Sequence, residues 1–303
     1  MTARVVVLGS INMDLVVRCA TLPKPGETIT AASCAEICGG KGANQAVAAA
    51  RAGGDVSMIG RVGDDAFAVR LVENLDNLNI NTQYVRTSAG RSSGIAVVAV
   101  EESGENSILL VPGANAALRL ADVESARAAI VSADVLLAQL EAPAAVVAEG
   151  LAIAKKAGVL TILDPAPAPP QWPGELPFAD LLCPNATEAA AITGLRVSSA
   201  EEARAAATTL AKQTGGDVVV TLGGMGAVVA TGGSVEHVPA IPTDVVDTTG
   251  AGDGFAGALA VRLAEGCELP EAVRFATAAG ALAVSRLGAQ VGMGTRAEIE
   301  ALL

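Results

Sequence analysis

Short apolar runs rich in β-branched residues recur along the chain, among them "RVVVLG" at 4–9, "DVSMIG" at 55–60, "DVLLAQL" at 134–140, "VLTILD" at 159–164, "LLCPN" at 181–185 and "DVVVTLG" at 217–223. Between them lie Ala-rich stretches with helical character: "GANQAVAAARAG", "APAAVVAEGLAIAKKAG" and "SAEEARAAATTLAKQTG". Continuous apolar strands alternating with helices predict an α/β fold, a doubly wound and mostly parallel sheet with helices on both faces. Gly53, Gly158 and Gly215 stand where left-handed C-caps would end those helices. Two segments, residues 12–38 and 92–111, break the rhythm: they alternate apolar and polar residues, carry Pro and Gly turns and show no helical period. They predict antiparallel strands outside the main sheet, a small β-sheet lid. No repeat or low-complexity linker divides the chain, so residues 1–303 are expected to form one domain.

The 218–235 stretch is free of charge and long enough to span a bilayer, but Gly223, Gly224, Gly226, Gly232 and Gly233 interrupt it, and it reads as strand, turn, strand. A net charge of -12 without any Lys/Arg cluster argues against nucleic acid or an anionic membrane and for a small-molecule partner. The start "MTARVVVLGS" carries no signal-peptide pattern, so a cytoplasmic location is expected. The five scattered cysteines form no CxxC pair and read as reduced thiols. The single histidine, His237, lies in the strand-like "VEHVPAI" and is expected to be structural.

Ligands of open α/β sheets sit at the carboxyl ends of strands. In "VVVLGSINMD", Asn12 and Asp14 follow a strand and are either sugar-binding polar groups or turn formers. In "CGGKGANQAVAAA", Gly39, Gly40 and Gly42 precede a helix carrying Asn44; they offer either helix-start amides to a ligand or a tight turn packed on the sheet. Gly42 after Lys41 excludes a Walker A loop, and neither "GAGDGF" nor "GGMGAV" completes GxGxxG, which disfavours a dinucleotide oxidoreductase. The most specific stretch is "VVDTTGAGDGFAGAL" at 245–259. Gly250, Ala251 and Gly252 would leave amides uncovered at the start of the helix "DGFAGALAVRLAEG", where the helix dipole favours negative charge. Asp253 is either the N-cap of that helix or a base that takes a proton from a hydroxyl attacking a phosphoryl group.

"GGKGAN" at 39–44 and "DTTGAGD" at 247–253, with "GSINMD", "PGE", "QLE", "PNATEA" and "TLGGMG" in order between and around them, resemble the ribokinase (PfkB) family of carbohydrate kinases over essentially the whole chain. The resemblance implies sugar binding by Asn12, Met13, Asp14, Gly40, Lys41, Gly42, Ala43, Asn44 and Glu141, with Asp253 as catalytic base and Gly250, Ala251 and Gly252 as anion hole. It implies magnesium and phosphate organisation by Asn185 and Glu188, and nucleotide binding by Thr221, Leu222, Gly223, Gly224, Met225, Gly226, Gly252, Asp253 and Thr277. It further implies a potassium ion held at Asp247, Thr249, Ala283, Arg286, Gly288 and Gly292, mostly through carbonyl oxygens, and a homodimer formed through the lid. Two positions depart from the family pattern: Thr277 stands where a longer polar residue is frequent beside adenine, and Gly292 replaces a frequent Ser.

The expected reaction is ATP-dependent phosphorylation of D-ribose at O5. The lid contains no Phe, Tyr or Trp on which a nucleoside base would stack, and its cationic candidates for a sugar phosphate are only Arg18, Lys24, Lys41 and Arg91. A 2-deoxy sugar would leave one polar group of Asn12 or Asp14 unpaired, at a cost of about 1–3 kcal/mol. The alternatives are a kinase for another free sugar, 2-deoxyribose or fructose, and a sugar sensor without turnover.

Overall fold

The computed structural model describes residues 2–103, 105–169, 172 and 179–303. Its strands are β1 (Arg4–Leu8), β2 (Asn12–Cys19), β3 (Ser33–Gly39), β4 (Asp55–Val62), β5 (Asn81–Thr87), β6 (Gly94–Glu101), β7 (Asn106–Val111), β8 (Val135–Gln139), β9 (Leu160–Asp164), β10 (Leu181–Leu182), β11 (Asp217–Thr221), β12 (Ala227–Thr231) and β13 (Ser234–Val238). The helices are α1 (Lys41–Arg51), α2 (Ala66–Asp76), α3 (Leu120–Ser125), α4 (Arg127–Ser132), α5 (Ala144–Lys156), α6 (Ala186–Thr193), α7 (Ala200–Thr214), α8 (Ala251–Ala264), α9 (Leu269–Val284), α10 (Ala289–Gly292) and α11 (Arg296–Glu300).

Nine strands form one sheet in the order β13-β12-β11-β10-β9-β8-β1-β4-β5, parallel from β5 through β11 and antiparallel at β12 and β13. The apolar runs are continuous because both faces are covered. Val5 and Val7 of β1 point into a core shared with α1, α8 and α9, whereas Val6 and Leu8 point into a second core beneath α5 and α7. The glycine-interrupted 218–235 stretch is the β11–β12 hairpin, with Val218 opposite Ala230. No helix among the described residues is long and apolar enough to cross a membrane.

The lid is a separate sheet in the order β3-β2-β6-β7. It is not wholly antiparallel as its alternation predicts: β2 and β6 run parallel, with Asn12 opposite Gly94. Each of these strands is the first arm of its own hairpin, so the two hairpins join through their leading arms. Local alternation specifies each hairpin but not which arms meet.

The strand order reverses between β1, which continues to β4 on one side, and β8 on the other. The segments leaving these two strands converge there: Ser10 Oγ donates to Glu141 Oε2 at 2.5 Å across the gap. This crevice is where open α/β sheets take their ligands.

Candidate active site

Two glycine-rich helix starts meet at the crevice, and they differ in what they leave free. Gly40 caps α1 at φ 89°, and a Cβ there would lie 2.7 Å from the Asn12 amide nitrogen, so only glycine brings the helix this close to the start of β2. The helix takes in Lys41 and Gly42 rather than starting after them. Its first amides are all used within the protein: Lys41 N–H donates to Glu141 Oε2 at 3.3 Å, Gly42 N–H to Ser10 Oγ at 3.3 Å and Ala43 N–H to the Ser10 carbonyl at 2.9 Å. Of the two readings of this loop, the structure shows the tight packed turn and not free helix-start amides; the turn aims the side chains of Lys41 and Asn44.

The start of α8 is different. The helix begins at Ala251, two residues earlier than its apolar pattern suggests, with Gly250 as N-cap in the left-handed region at φ 76°. Asp253 thus sits in the first turn and is not the N-cap. Ala251 N–H turns to the Thr248 carbonyl at 3.3 Å, and Gly252 and Asp253 hold the next positions, whose amides have no partner within a helix. These amides face a polar cavity of about 200 Å³ whose lining includes Lys41, Asp164, Asn185, Glu188, Thr221 and Asp253. A larger and more apolar cavity of about 460 Å³ shares Thr221, Thr248, Ala251 and Gly252 with it and extends past Gly223, Gly224, Gly226, Phe255 and Thr277.

Asp253 is 6% exposed and is held by both carboxylate oxygens. Asn44 Nδ2 donates to its Oδ2 at 2.9 Å and Gln45 Nε2 to its Oδ1 at 3.1 Å. Gln45 Nε2 also donates to Asp164 Oδ2 at 2.8 Å, and Gln45 Oε1 accepts from Gln139 Nε2 at 2.5 Å. This arrangement needs α1 and α8 to pass unusually close. They do so at Gly257, where a Cβ would lie 2.5 Å from the Gln45 carbonyl oxygen and 2.6 Å from Ala48 Cβ.

The electrostatics follow from burying acids around one cation. Burial, then the charges of Glu141 and Asp253, push the Asp14 carboxyl up to about 7. Burial raises Asp164 to about 8 against the pull of Lys41. Burial alone would lower the Lys41 ammonium, but Asp253, Asp164, Glu141 and Glu188 override it and hold Lys41 above the ordinary lysine value. Glu188 is raised, chiefly by burial, with its hydrogen bonds and Lys41 opposing.

The structure brings most of the sequence-predicted residues to this crevice. Asn12 is buried at the root of the lid, and its Oδ1 accepts from Asn115 Nδ2 at 2.7 Å, so it faces a ligand as a donor. Asp14 is one pleat further along; Gly39 makes room for it, since a Cβ there would stand 2.2 Å from Asp14 Oδ2. Met13 points the other way and is fully buried in the core, and Ala43 is likewise inside, so neither side chain reaches the cavity. Asn185 and Glu188 form a reciprocal capping box at the start of α6, Glu188 N–H donating to Asn185 Oδ1 at 2.9 Å and Asn185 N–H to Glu188 Oε2 at 2.8 Å.

Thr221, Gly223, Gly224 and Gly226 line the larger cavity, while Leu222 is buried beneath it and Met225 is exposed. His237 Nε2 donates to the Met225 carbonyl at 2.6 Å, the structural role its strand position suggests. Thr277 lines the cavity with its hydroxyl turned back to the Val273 carbonyl at 2.8 Å.

Asp247 accepts from Thr249 N–H and Gly288 N–H, each at 2.9 Å. These bonds, with the charge of Arg18, outweigh burial and hold its carboxyl below the ordinary value. Ala283 presents its carbonyl oxygen to Gly292, where a Cβ would stand only 2.5 Å away, so a serine does not fit this arrangement. The Arg286 side chain is engaged with Glu298, leaving only its backbone for a ligand.

Sequence reasoning missed Ser10, Gln45, Asn115, Gln139, Asp164 and Gln290. Gln139 and Asp164 carry a usable signal, since each ends a core strand at its carboxyl end. The others do not, because a hydroxyl or amide on a helix or loop has no local signature until its partners are known.

A sheet whose ligand crevice holds a carboxylate at a helix N-terminus beside two joined cavities defines a phosphotransferase site, and the chain is found to match the pfkB family carbohydrate kinase model over residues 2–296. The chain belongs to that family. It is 39% identical to the ribokinase of Haemophilus influenzae, covering 96% of this chain and 95% of that one, and 37% identical to the deoxyribokinase of Salmonella typhimurium, covering 94% of each. The structure of Arabidopsis thaliana ribokinase complexed with ribose and ATP superposes with a TM-score of 0.90 at 36% identity, covering 100% of this chain and 99% of that one.

Proposed function

We propose that the protein transfers the γ-phosphoryl group of ATP to O5 of D-ribose. The observation that carries the reading is Asp253, held by Asn44 and Gln45 in the first turn of α8, lining the phosphate-sized cavity and near enough to Asp14 for its charge to raise that carboxyl. The sugar lies against Asn12, Asp14, Lys41, Asn44 and Glu141, with ATP along Thr221–Gly226 and Thr277. Asp253 takes the proton from O5–H as O5 forms its bond to the γ-phosphorus; the bond from that phosphorus to the β,γ-bridging oxygen breaks and ADP leaves. Gly252 and Asp253 amides and the Lys41 ammonium receive the negative charge that spreads over the transferring group.

Magnesium would arrive on the nucleotide, as it does in most phosphoryl-transfer sites. Glu188 and Asn185, oxygen donors lining the polar cavity, fit it, and it supplies charge neutralisation to the triphosphate. Asp247, Thr249 and the carbonyls of Ala283, Arg286, Gly288 and Gly292 would supply oxygen ligands to a potassium ion, which would order the segment behind the helix start. Equal rates in potassium and in a large organic cation at matched ionic strength would refute this part.

We read the chain as one cytoplasmic kinase domain with the lid inserted, paired with a second copy through the lid. The edge strand β7 supports the pairing: Ile108, Leu109, Leu110 and Val111 are 58%, 71%, 43% and 47% exposed. Light scattering showing a monomer would overturn it.

The deciding experiment measures ADP release against D-ribose, 2-deoxy-D-ribose, D-fructose, fructose 6-phosphate and adenosine, with Asp253→Asn beside the parent. Preference for ribose and a loss in kcat of about 10²–10⁴ in the variant, with sugar binding kept, are expected. Preference for 2-deoxyribose would favour the alternative that the Salmonella relative raises, and near-normal turnover of Asp253→Asn would remove the assignment of the base.

A further inference from the structure

The Asn44 amide that holds Asp253 is itself held from behind. Gln290 Nε2 donates to Asn44 Oδ1 at 3.0 Å, and Gln290 Oε1 accepts from Asn74 Nδ2 at 2.8 Å. Gln290 and Asn44 are 7% and 5% exposed, so water does not replace these bonds. The order of donors is forced. A carboxylate only accepts, so Asn44 must turn Nδ2 to Asp253; its Oδ1 then faces Gln290, which must present Nε2 and leave Oε1 for Asn74. An asparagine amide is nearly symmetric in shape, so packing alone does not choose this orientation; the Asp253 acceptor on one side and the Gln290 donor on the other together hold it.

Gln290 also stands in a segment that touches the phosphate end of the site. Gly288 N–H donates to Asp247 Oδ2, and Ala289 lies so close to Gly250 that a Cβ on that glycine would stand 2.7 Å from Ala289 Cβ. Three consecutive residues therefore contact the 247 loop, the N-cap of α8 and the amide behind the base.

We propose that Gln290 is a positioning residue for phosphoryl transfer, fixing the Asn44 amide and through it the Asp253 carboxylate. The inference rests on Asp253 being the base. Without the Gln290 donor, Asn44 Oδ1 is left buried and unpaired, and the amide turns to seek another donor, loosening its hold on Asp253 and letting the carboxylate leave the line to the attacking hydroxyl.

The test uses the full chain and compares Gln290→Leu, Gln290→Glu, Asn44→Ala, the double variant Asn44→Ala/Gln290→Leu and Asp253→Asn. Gln290→Leu is expected to lower kcat by about 10- to 100-fold with KM for ATP within about twofold, as a displaced catalytic group does. Gln290→Glu keeps the shape but can only accept; it draws Asn44 Nδ2 away from Asp253 and is expected to cost at least as much. Because Gln290 acts through Asn44, the double variant is expected to turn over no more slowly than Asn44→Ala alone, a non-additivity that a general loss of packing would not give. Turnover of Gln290→Glu within twofold of the parent, or additive losses in the double variant, overturns the proposal. Should Gln290→Leu not fold, Gln290→Glu carries the same comparison. If Asp253→Asn is inactive while Gln290→Glu is normal, this inference alone fails; if Asp253→Asn is active, the reading of the base fails with it.

Discussion

Replacing Gly257 with alanine would place a methyl carbon 2.5 Å from the Gln45 carbonyl oxygen and 2.6 Å from Ala48 Cβ. To reach the 3.4 Å at which ordinary van der Waals contact begins, α1 and α8 must part by about 0.9 Å. The two hydrogen bonds that hold Asp253, at 2.9 and 3.1 Å, bridge these same helices and would stretch past useful length. Stability responds weakly, because alanine gains about 1 kcal/mol of helix propensity while overpacking costs about 1–3 kcal/mol. The net loss of at most about 2 kcal/mol lowers Tm by no more than about 8 °C in a chain of this size. Catalysis responds strongly: a displacement near 1 Å at a catalytic group costs about 10²-fold. A coupled assay for ADP release and a thermal melt on the same preparation separate the two effects. Turnover within twofold of the parent would refute the claim that the close crossing at Gly257 positions the base, and a collapse of Tm with proportionate loss of activity would show that the glycine serves packing alone.

Three further outcomes follow from the site. The folded Asp14 carboxyl, at about 7, stands above its ordinary 3.8, so between these values the native chain keeps a proton that the unfolded chain has released; stability from this group is present at low pH and lost as pH rises through 7. The Tm of Asp14→Asn minus that of the parent should therefore be larger at pH 8 than at pH 5, and equal differences would count against the burial argument. Lys41→Met leaves Asp253, Asp164, Glu141 and Glu188 facing one another without their cation, and kcat at pH 8 should fall at least about tenfold with a rise in KM for ATP; an unchanged KM would detach Lys41 from the phosphates. Asn185→Ala removes the cap of α6 and should cost about 1 kcal/mol by thermal melt, whereas Glu188→Gln should leave Tm near the parent and raise the magnesium needed for half-maximal rate; the reverse pattern would exchange their roles.

The placement of Asp253 at a glycine-rich helix start is legible in sequence because it lies in a contiguous motif whose residue types serve one local purpose. The main sheet is legible for a similar reason, since burial on both faces forces unbroken apolar strands. What fails is information that lives between segments. The parallel pairing of β2 with β6 needs knowledge of which hairpin arms meet, and alternation is blind to it. The helix start at Ala251 is missed because Gly250 and Gly252 are poor helix formers, yet packing on Ala289 and on α1 fixes the backbone there. The amides of Gln45, Asn74 and Gln290 look like ordinary surface residues of helices and loops until the fold brings them together behind the acids.

The pairing of Asn12 with Gly94 places the roots of both lid hairpins at one line beside the core. With about 3.3 Å of rise per residue, Asp14 stands roughly 7 Å from that line and Arg18 roughly 20 Å. A lid that turns as a rigid body about that line would be a lever with its fulcrum beside Asn12. A swing of about 15° carries Arg18 through roughly 5 Å and Asp14 through less than about 2 Å, the arc growing with the radius. In such a swing the polar side chains of Asn12 and Asp14 next to the pivot would stay nearly still, while the far end of the same strands moved most. Residues near the tip can therefore change how quickly the chamber opens and shuts without altering which hydroxyls are read inside it.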